Sequence, residues 1–147
     1  MKFKHLAIVS IVIVATFTTS CTREVTSNQT QTQTPTPTSV TESGNFKAGE
    51  YSAQGTARVI TEQGKRYLEF DQKFKTGKGP DLFVILHRSD APPVVGIKEK
   101  DYVNLAPLQK TSGTQRYTLP DNLKLAEYKS VVIWCRKFNS TFAYASL

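Results

Sequence analysis

Metal-ligating side chains are scarce in this chain: its 147 residues include two His, two Cys, one Met and a single Trp. Met1, His5 and Cys21 all lie at the front, so beyond them only His87 and Cys135 remain. A structural zinc site, a cysteine-ligated iron–sulfur cluster and a two-His copper site each require more His or Cys than that. The Cys-x-x-Cys-His run needed for covalent haem attachment is also missing. What the ligand count leaves open is no cofactor at all, or a non-covalent haem held by Cys135, alone or opposite His87. For His87 the simpler reading is a polar residue at the end of a buried strand. Hydrolytic machinery is equally thin. There is no Gly-x-Ser-x-Gly elbow, and Ser89 and Asp90 beside His87 point in different directions on an extended chain. Glu99 and Asp101 sit in Lys-bearing loop sequence and read as solvated. Nothing in the pattern marks an enzyme.

The sequence also lacks a hydrophobic run long enough to span a bilayer. Leu6 to Phe17, interrupted by Ser10 and Thr16, follows a basic head with Lys2 and Lys4, and falls short of the ~20 apolar residues of a stable transmembrane helix. This is the layout of an export signal over residues 1–20. Ser20-Cys21 has the form of a bacterial lipoprotein processing site, although Thr18 stands where Leu is usual. Cleavage there leaves Cys21 first and lipidated, and an exported, membrane-anchored lipoprotein facing the periplasm or cell exterior is the expectation. The alternative is an ordinary secretory signal with Cys21 unused. Residues 21–44 are nearly free of apolar side chains and rich in Thr, Gln and Pro, which predicts a disordered tether. Such a coil would hold a folded domain about 25–30 Å from its anchor on average.

Acidic residues are outnumbered. The net charge is +7, and between residues 45 and 147 sixteen Lys and Arg face ten Asp and Glu. An exported protein rarely meets nucleic acid, so no nucleic acid is expected as partner and the charge favours anionic lipid headgroups, cell-wall polymers or an acidic protein. Lys73, Lys75 and Lys78 read as a solvated strand face and turn. No oligomeric state is implied.

A sustained helical period is missing as well. From Phe46 onward the period is two: Ala57, Val59 and Thr61 alternate with Thr56, Arg58 and Ile60, Gln63-Gly64 turns the chain, and Leu68 and Phe70 share a face. Gly77 to Pro80 punctuates; because this Gly-x-Gly precedes a strand and not a helix, it is a turn and not a phosphate loop. Asp81 to Leu86 reads as a buried strand, residues 88–101 as the longest loop, Tyr102 to Leu105 and Gln115 to Leu119 as short strands, and residues 121–128 as at most one helical turn. Ser130 to Phe138 is a central strand, reversed at Asn139-Ser140 into residues 141–145. Some eight short strands argue for an all-β fold, an antiparallel sandwich or barrel, over residues 45–147.

The central strand carries the chemistry. Val131 to Cys135 is apolar on both alternating faces, which predicts cover on both sides, with Arg136 and Lys137 marking its emergence. Cys135 is then expected at a core margin, sharing a face with Ile133 and with Lys137, about 7 Å along the strand, near enough to favour a thiolate. With Cys21 lipidated, Cys135 has no disulfide partner in the chain. Its two readings are a small buried hydrophobe and a redox thiol that passes through a sulfenic acid or mixed disulfide, or ligates haem. Trp134, on the opposite face, is core packing.

Gly79-Pro80-Asp81-Leu82-Phe83-Val84, Tyr102-Val103-Asn104-Leu105 with Leu108, Ser112 to Tyr117, and Val131-Val132-Ile133-Trp134-Cys135 with Phe138, Phe142 and Tyr144 occur in one order. Together they resemble the electron-transfer DM13 domain, found alone in bacterial lipoproteins and beside DOMON domains in larger proteins. The resemblance covers residues 45–147 and implies a β-rich extracytoplasmic module whose cysteine after the Trp acts in redox chemistry; that role falls on Cys135 alone. The sequence departs from the pattern at Pro92-Pro93 and at Lys110, where Gly is frequent. Two functions follow as expectations: a lipid-anchored electron-transfer module that exchanges electrons through Cys135 with a redox partner protein, or a non-catalytic cell-envelope binding domain in which Cys135 is structural.

Overall fold

The computed structural model describes residues 37–147; the expected export signal, Cys21 and most of the tether lie outside them. The alternation after Phe46 forms β2 (Thr56–Glu62) and β3 (Lys65–Phe70). Gln63 and Gly64 join them with φ of 50° and 77°. Two successive positive φ values give the turn whose twist matches that of the flanking strands, so the hairpin is built as its sequence predicts. The chain continues through β4 (Leu82–His87), β5 (Tyr102–Pro107), β6 (Gln115–Thr118), β7 (Ser130–Cys135) and β8 (Ser140–Ser146). Single 3₁₀ turns at Glu99–Asp101 and Leu125–Glu127 are the only helical pieces among the described residues.

One strand goes beyond what the sequence predicts. β1 (Ser39–Ala48) begins inside the segment read as tether. Its first half is polar and largely exposed, so no apolar pattern announces it; backbone pairing with β2, from Ser39 opposite Thr61 to Asn45 opposite Thr56, holds it extended. At Phe46 the strand changes partner and pairs with β8 through Ala48. β1 thereby joins two halves into one antiparallel sheet of order β5-β4-β7-β8-β1-β2-β3-β6. The two end strands are not laddered to each other, and side chains of β6 hold instead the segment that follows β5. Gln115 in β6 accepts from the Lys110 amide at 3.1 Å and donates to the Lys110 carbonyl at 2.9 Å, while the Tyr117 hydroxyl accepts from the Gln109 amide at 3.0 Å. The result is an all-β, nearly closed barrel.

Its interior holds one main cluster, in which Phe46, Phe70, Phe74 and Tyr117 meet with ring centroids 4.7–5.5 Å apart. β7 is buried along its whole length, on both faces, as its composition predicts. Val131, Ile133 and Cys135 point into the main cluster, whereas Val132 and Trp134 join Ile85 and Ile97 in a second one outside the barrel. The long connection after β4 supplies Ile97 to that outer layer, with Phe83, Tyr102 and Tyr144 packed around it. Asn139 ties the layer down: it accepts from the Trp134 indole at 3.0 Å and donates to the Ile97 carbonyl at 3.1 Å.

On the solvent side of β2, β3 and β6, Arg116 bridges Glu62 and Glu69, and Arg58 also binds Glu69. Burial pushes the Glu69 carboxyl up, but hydrogen bonds from Arg116 and Arg58 outweigh it and hold the group below the usual carboxylate range. The Arg116 hydrogen bond likewise lowers Glu62. Both groups are more acidic folded than unfolded, so their stabilisation is complete above the ordinary value of 4.5 and is lost as pH falls through the lower folded values. Denaturant titrations across pH should show stability level near neutrality and declining below about pH 4.5, with Arg116→Met flattening the decline. The amplitude is small, because exposed pairs are screened. An equally steep decline in that variant would assign the acid sensitivity to other carboxylates.

Candidate functional site around Cys135

Cys135 is the last residue of β7, and the hairpin turn of residues 136–139 follows at once. Its cross-strand partners are Leu82 on β4 and Ser140 on β8. Directly opposed residues put their side chains on one face with Cβ atoms about 4.5–5.5 Å apart. Sequence alone places Cys135 at a core margin, but the residue is 0% exposed and belongs to the main interior cluster. Lys137 does not share its face. The strand ends before it, and the Lys137 ammonium lies 5.8 Å from the ring of exposed Phe138. Arg136 is also committed elsewhere, bonded to Asp81 at 2.9 Å and stacked over Phe83 at 4.4 Å. Both cations are thus directed to the turn and the outer face, and the expected Lys137 contact with the thiol is not made.

The polar neighbour on the face of Cys135 is Ser140, which the sequence marks only as a turn residue. It is 1% exposed, and its Oγ has no hydrogen-bond partner among the described residues. The signal that could have found it is the hairpin itself: with a four-residue reversal at 136–139, Cys135 must face Ser140. On the other side of the hairpin strand, the Thr141 hydroxyl is satisfied by the Pro93 carbonyl at 2.7 Å.

The chain entering β4 packs against this end of the barrel. A Cβ at Gly79 would come 2.8 Å from Phe142 and 2.9 Å from Leu82. Beside it lies an open cleft of about 410 Å³, walled by residues 79–83 and 107–111. Leu82 is both a wall of this cleft and the strand partner of Cys135, whereas Cys135 itself does not line it.

His87 sits at the opposite end of the β4–β7 pair, opposite Ser130, five positions from the Leu82–Cys135 pair. At the antiparallel rise that is about 17 Å, so His87 and Cys135 cannot ligate one iron. His87 is buried and accepts the Ser89 amide on Nδ1 at 3.0 Å, which makes it part of a local turn, as expected of a strand-end residue. Nor does the surrounding of Cys135 fit a haem on that ligand alone, because the residue is 0% exposed and packed within the main interior cluster, leaving the sulfur no open face for a porphyrin. Those residues also hold no cluster of three or more His, Cys, Asp or Glu arranged to bind a metal.

No curated protein and no solved structure matches the chain. A family match covers residues 45–147, which take in every strand except the first six residues of β1, and the chain therefore belongs to the electron transfer DM13 family.

Proposed function

We propose that the barrel is an electron-transfer module in which the Cys135 thiol is the redox group, held at a membrane by lipid on Cys21 after export. The observation that carries the reading is the position of Cys135: at the end of the central strand, next to an exposed hairpin turn, directly opposite Leu82, which lines an open cleft. The family match supplies the class of chemistry. In the simplest exchange the Cys135 thiolate attacks one sulfur of a partner disulfide. A mixed disulfide forms, the partner S–S bond breaks, and the second partner sulfur leaves as thiolate; a further thiol later releases Cys135 by the same exchange. Because the sulfur is enclosed, the reaction runs through an opened form in which Leu82 has swung aside, and it is slow without a partner to hold that form open.

The test uses oxidised glutathione as the disulfide and intact mass as the readout. Wild-type protein under native conditions should form a thiol-reversible adduct that Cys135→Ser abolishes. Leu82→Ala should raise the rate at least tenfold. Leu86→Ala, also a buried core residue but at the far end of β4 beside Val131, should not, although both truncations cost about 2–5 kcal/mol of stability. Equal acceleration by the two would mean that the thiol reacts only on global unfolding.

That outcome would favour a second reading, which the full burial of Cys135 supports on its own: a cell-envelope binding domain with a structural cysteine and a basic surface. Binding to an anionic partner would then be unchanged in Cys135→Ser and weakened by salt.

A further inference from the structure

Leaving a buried hydroxyl without a partner is destabilising relative to a satisfied one, and such a group in a well-packed barrel calls for a reason. Ser140 Oγ is one of three buried side-chain oxygens without a hydrogen bond among the described residues, and the one that shares a strand position with a cysteine. Register fixes the geometry: Ser140 and Cys135 flank the same four-residue turn, are directly opposed, and are 1% and 0% exposed. The bulge in this pair lies between Ile133 and Trp134, ahead of the two residues, so it does not rotate them to opposite faces.

We infer that Ser140 is a positioning residue for Cys135, whose Oγ–H turns onto the sulfur when the thiol loses its proton and holds the thiolate at a position closed to bulk solvent. This rests on the redox reading of Cys135 and adds the group that makes the anion tolerable there. In this structure Ser140 Oγ makes no hydrogen bond to the Cys135 sulfur, so the pairing requires the serine side chain to rotate; a thiolate rewards that rotation with a charge-assisted bond roughly twice as strong as a neutral one. With no bond holding it, the Ser140 hydroxyl has none to give up when it turns. The neighbours that the strand register places on the same face are apolar: Ile133 on its own strand and Leu82 on β4. Of the charges nearest in sequence, Asp81 and Arg136 are paired to each other, and Lys137 lies in the exposed turn. None of them replaces the hydroxyl.

The experiment titrates the ultraviolet absorbance of the thiolate in the folded full chain, taking each spectrum as a difference against Cys135→Ser so that tyrosines and the other cysteine cancel. This reads ionisation without any reagent having to reach the sulfur. Ser140→Ala should disfavour ionisation by about tenfold, moving the transition to more alkaline pH, and Ser140→Thr, which keeps a hydroxyl, should return most of it. In denaturant the three proteins should titrate alike. Coincident folded-state titrations of wild type and Ser140→Ala would overturn the inference, as would a shift that persists in denaturant. Failure of the redox reading is separate: it appears as no native glutathione adduct, whatever the titration shows.

Discussion

Phe70→Ala is expected to remove about 3–5 kcal/mol of stability, the usual cost of emptying an aromatic site in a close-packed core. Phe70 is 0% exposed and meets three rings from other parts of the chain: Phe46 of β1 edge-on at 4.9 Å, Phe74 at 4.7 Å and Tyr117 of β6 at 5.5 Å. The side chain therefore packs the crossing strand, the β3–β4 connection and one end strand against each other. Because these neighbours are rings anchored on separate parts of the chain, two of them on strands, they cannot collapse into the space, and the cavity term stays close to its full value. Domains of this size are stable by only about 5–15 kcal/mol, so the variant should be near its folding threshold at 37 °C. Denaturant melts should show a large drop in midpoint with an unchanged slope. Phe138→Ala, at a ring 60% exposed in the hairpin turn, should change stability by less than about 0.5 kcal/mol. A loss below about 1 kcal/mol for Phe70→Ala would show that the aromatic cluster does not hold the halves of the barrel together.

The contrast between those two rings shows where the sequence is readable. Alternation around Leu68 and Phe70 marks an inward face, and the Gln63-Gly64 turn sets the hairpin register, so the local chain carries enough information to bury Phe70. Val131 to Trp134 is legible for a similar reason: a strand apolar on both faces must be covered on both, and Ile97 from the long connection provides the second cover. The depth of Cys135 is a different matter. Charged Arg136 and Lys137 follow it, and on a continuing strand they would draw it toward solvent; the chain turns instead, and the side chains that enclose Cys135 arrive from β4 and β8. The burial of a strand's last residue is decided by partners distant in sequence, and so is the unpaired state of Ser140. The first half of β1 is hidden for a third reason, because backbone pairing sustains it and its polar side chains carry no period.

That same stretch yields the second large effect, because the barrel depends on β1 changing partner without a break. At Gly44 the strand is still paired with Ala57 of β2, and two residues later Phe46 is paired with Ala145 of β8. The exchange brings the backbones so close that a Cβ on Gly44 would be built into the carbonyl oxygen of Ser146. The obstacle is main chain on a paired strand, so no rotamer change relieves it. The strands must separate locally, and the three β1–β8 pairs at Phe46, Lys47 and Ala48 are the ones at risk. Gly44→Ala should therefore cost about 3 kcal/mol or more, at the upper end for overpacking, even though alanine normally favours ordered structure over glycine. The damage should also be directional. Amide exchange should accelerate first along the β1–β8 ladder, while the β2–β3 hairpin, which closes through its own turn, keeps more of its protection. Ser43→Ala, one residue away at an exposed position opposite Arg58, should leave both stability and exchange nearly unchanged. If Gly44→Ala were as stable as wild type, β1 would not approach β8 at this point, and the junction between the two halves of the barrel would have to lie elsewhere on the strand.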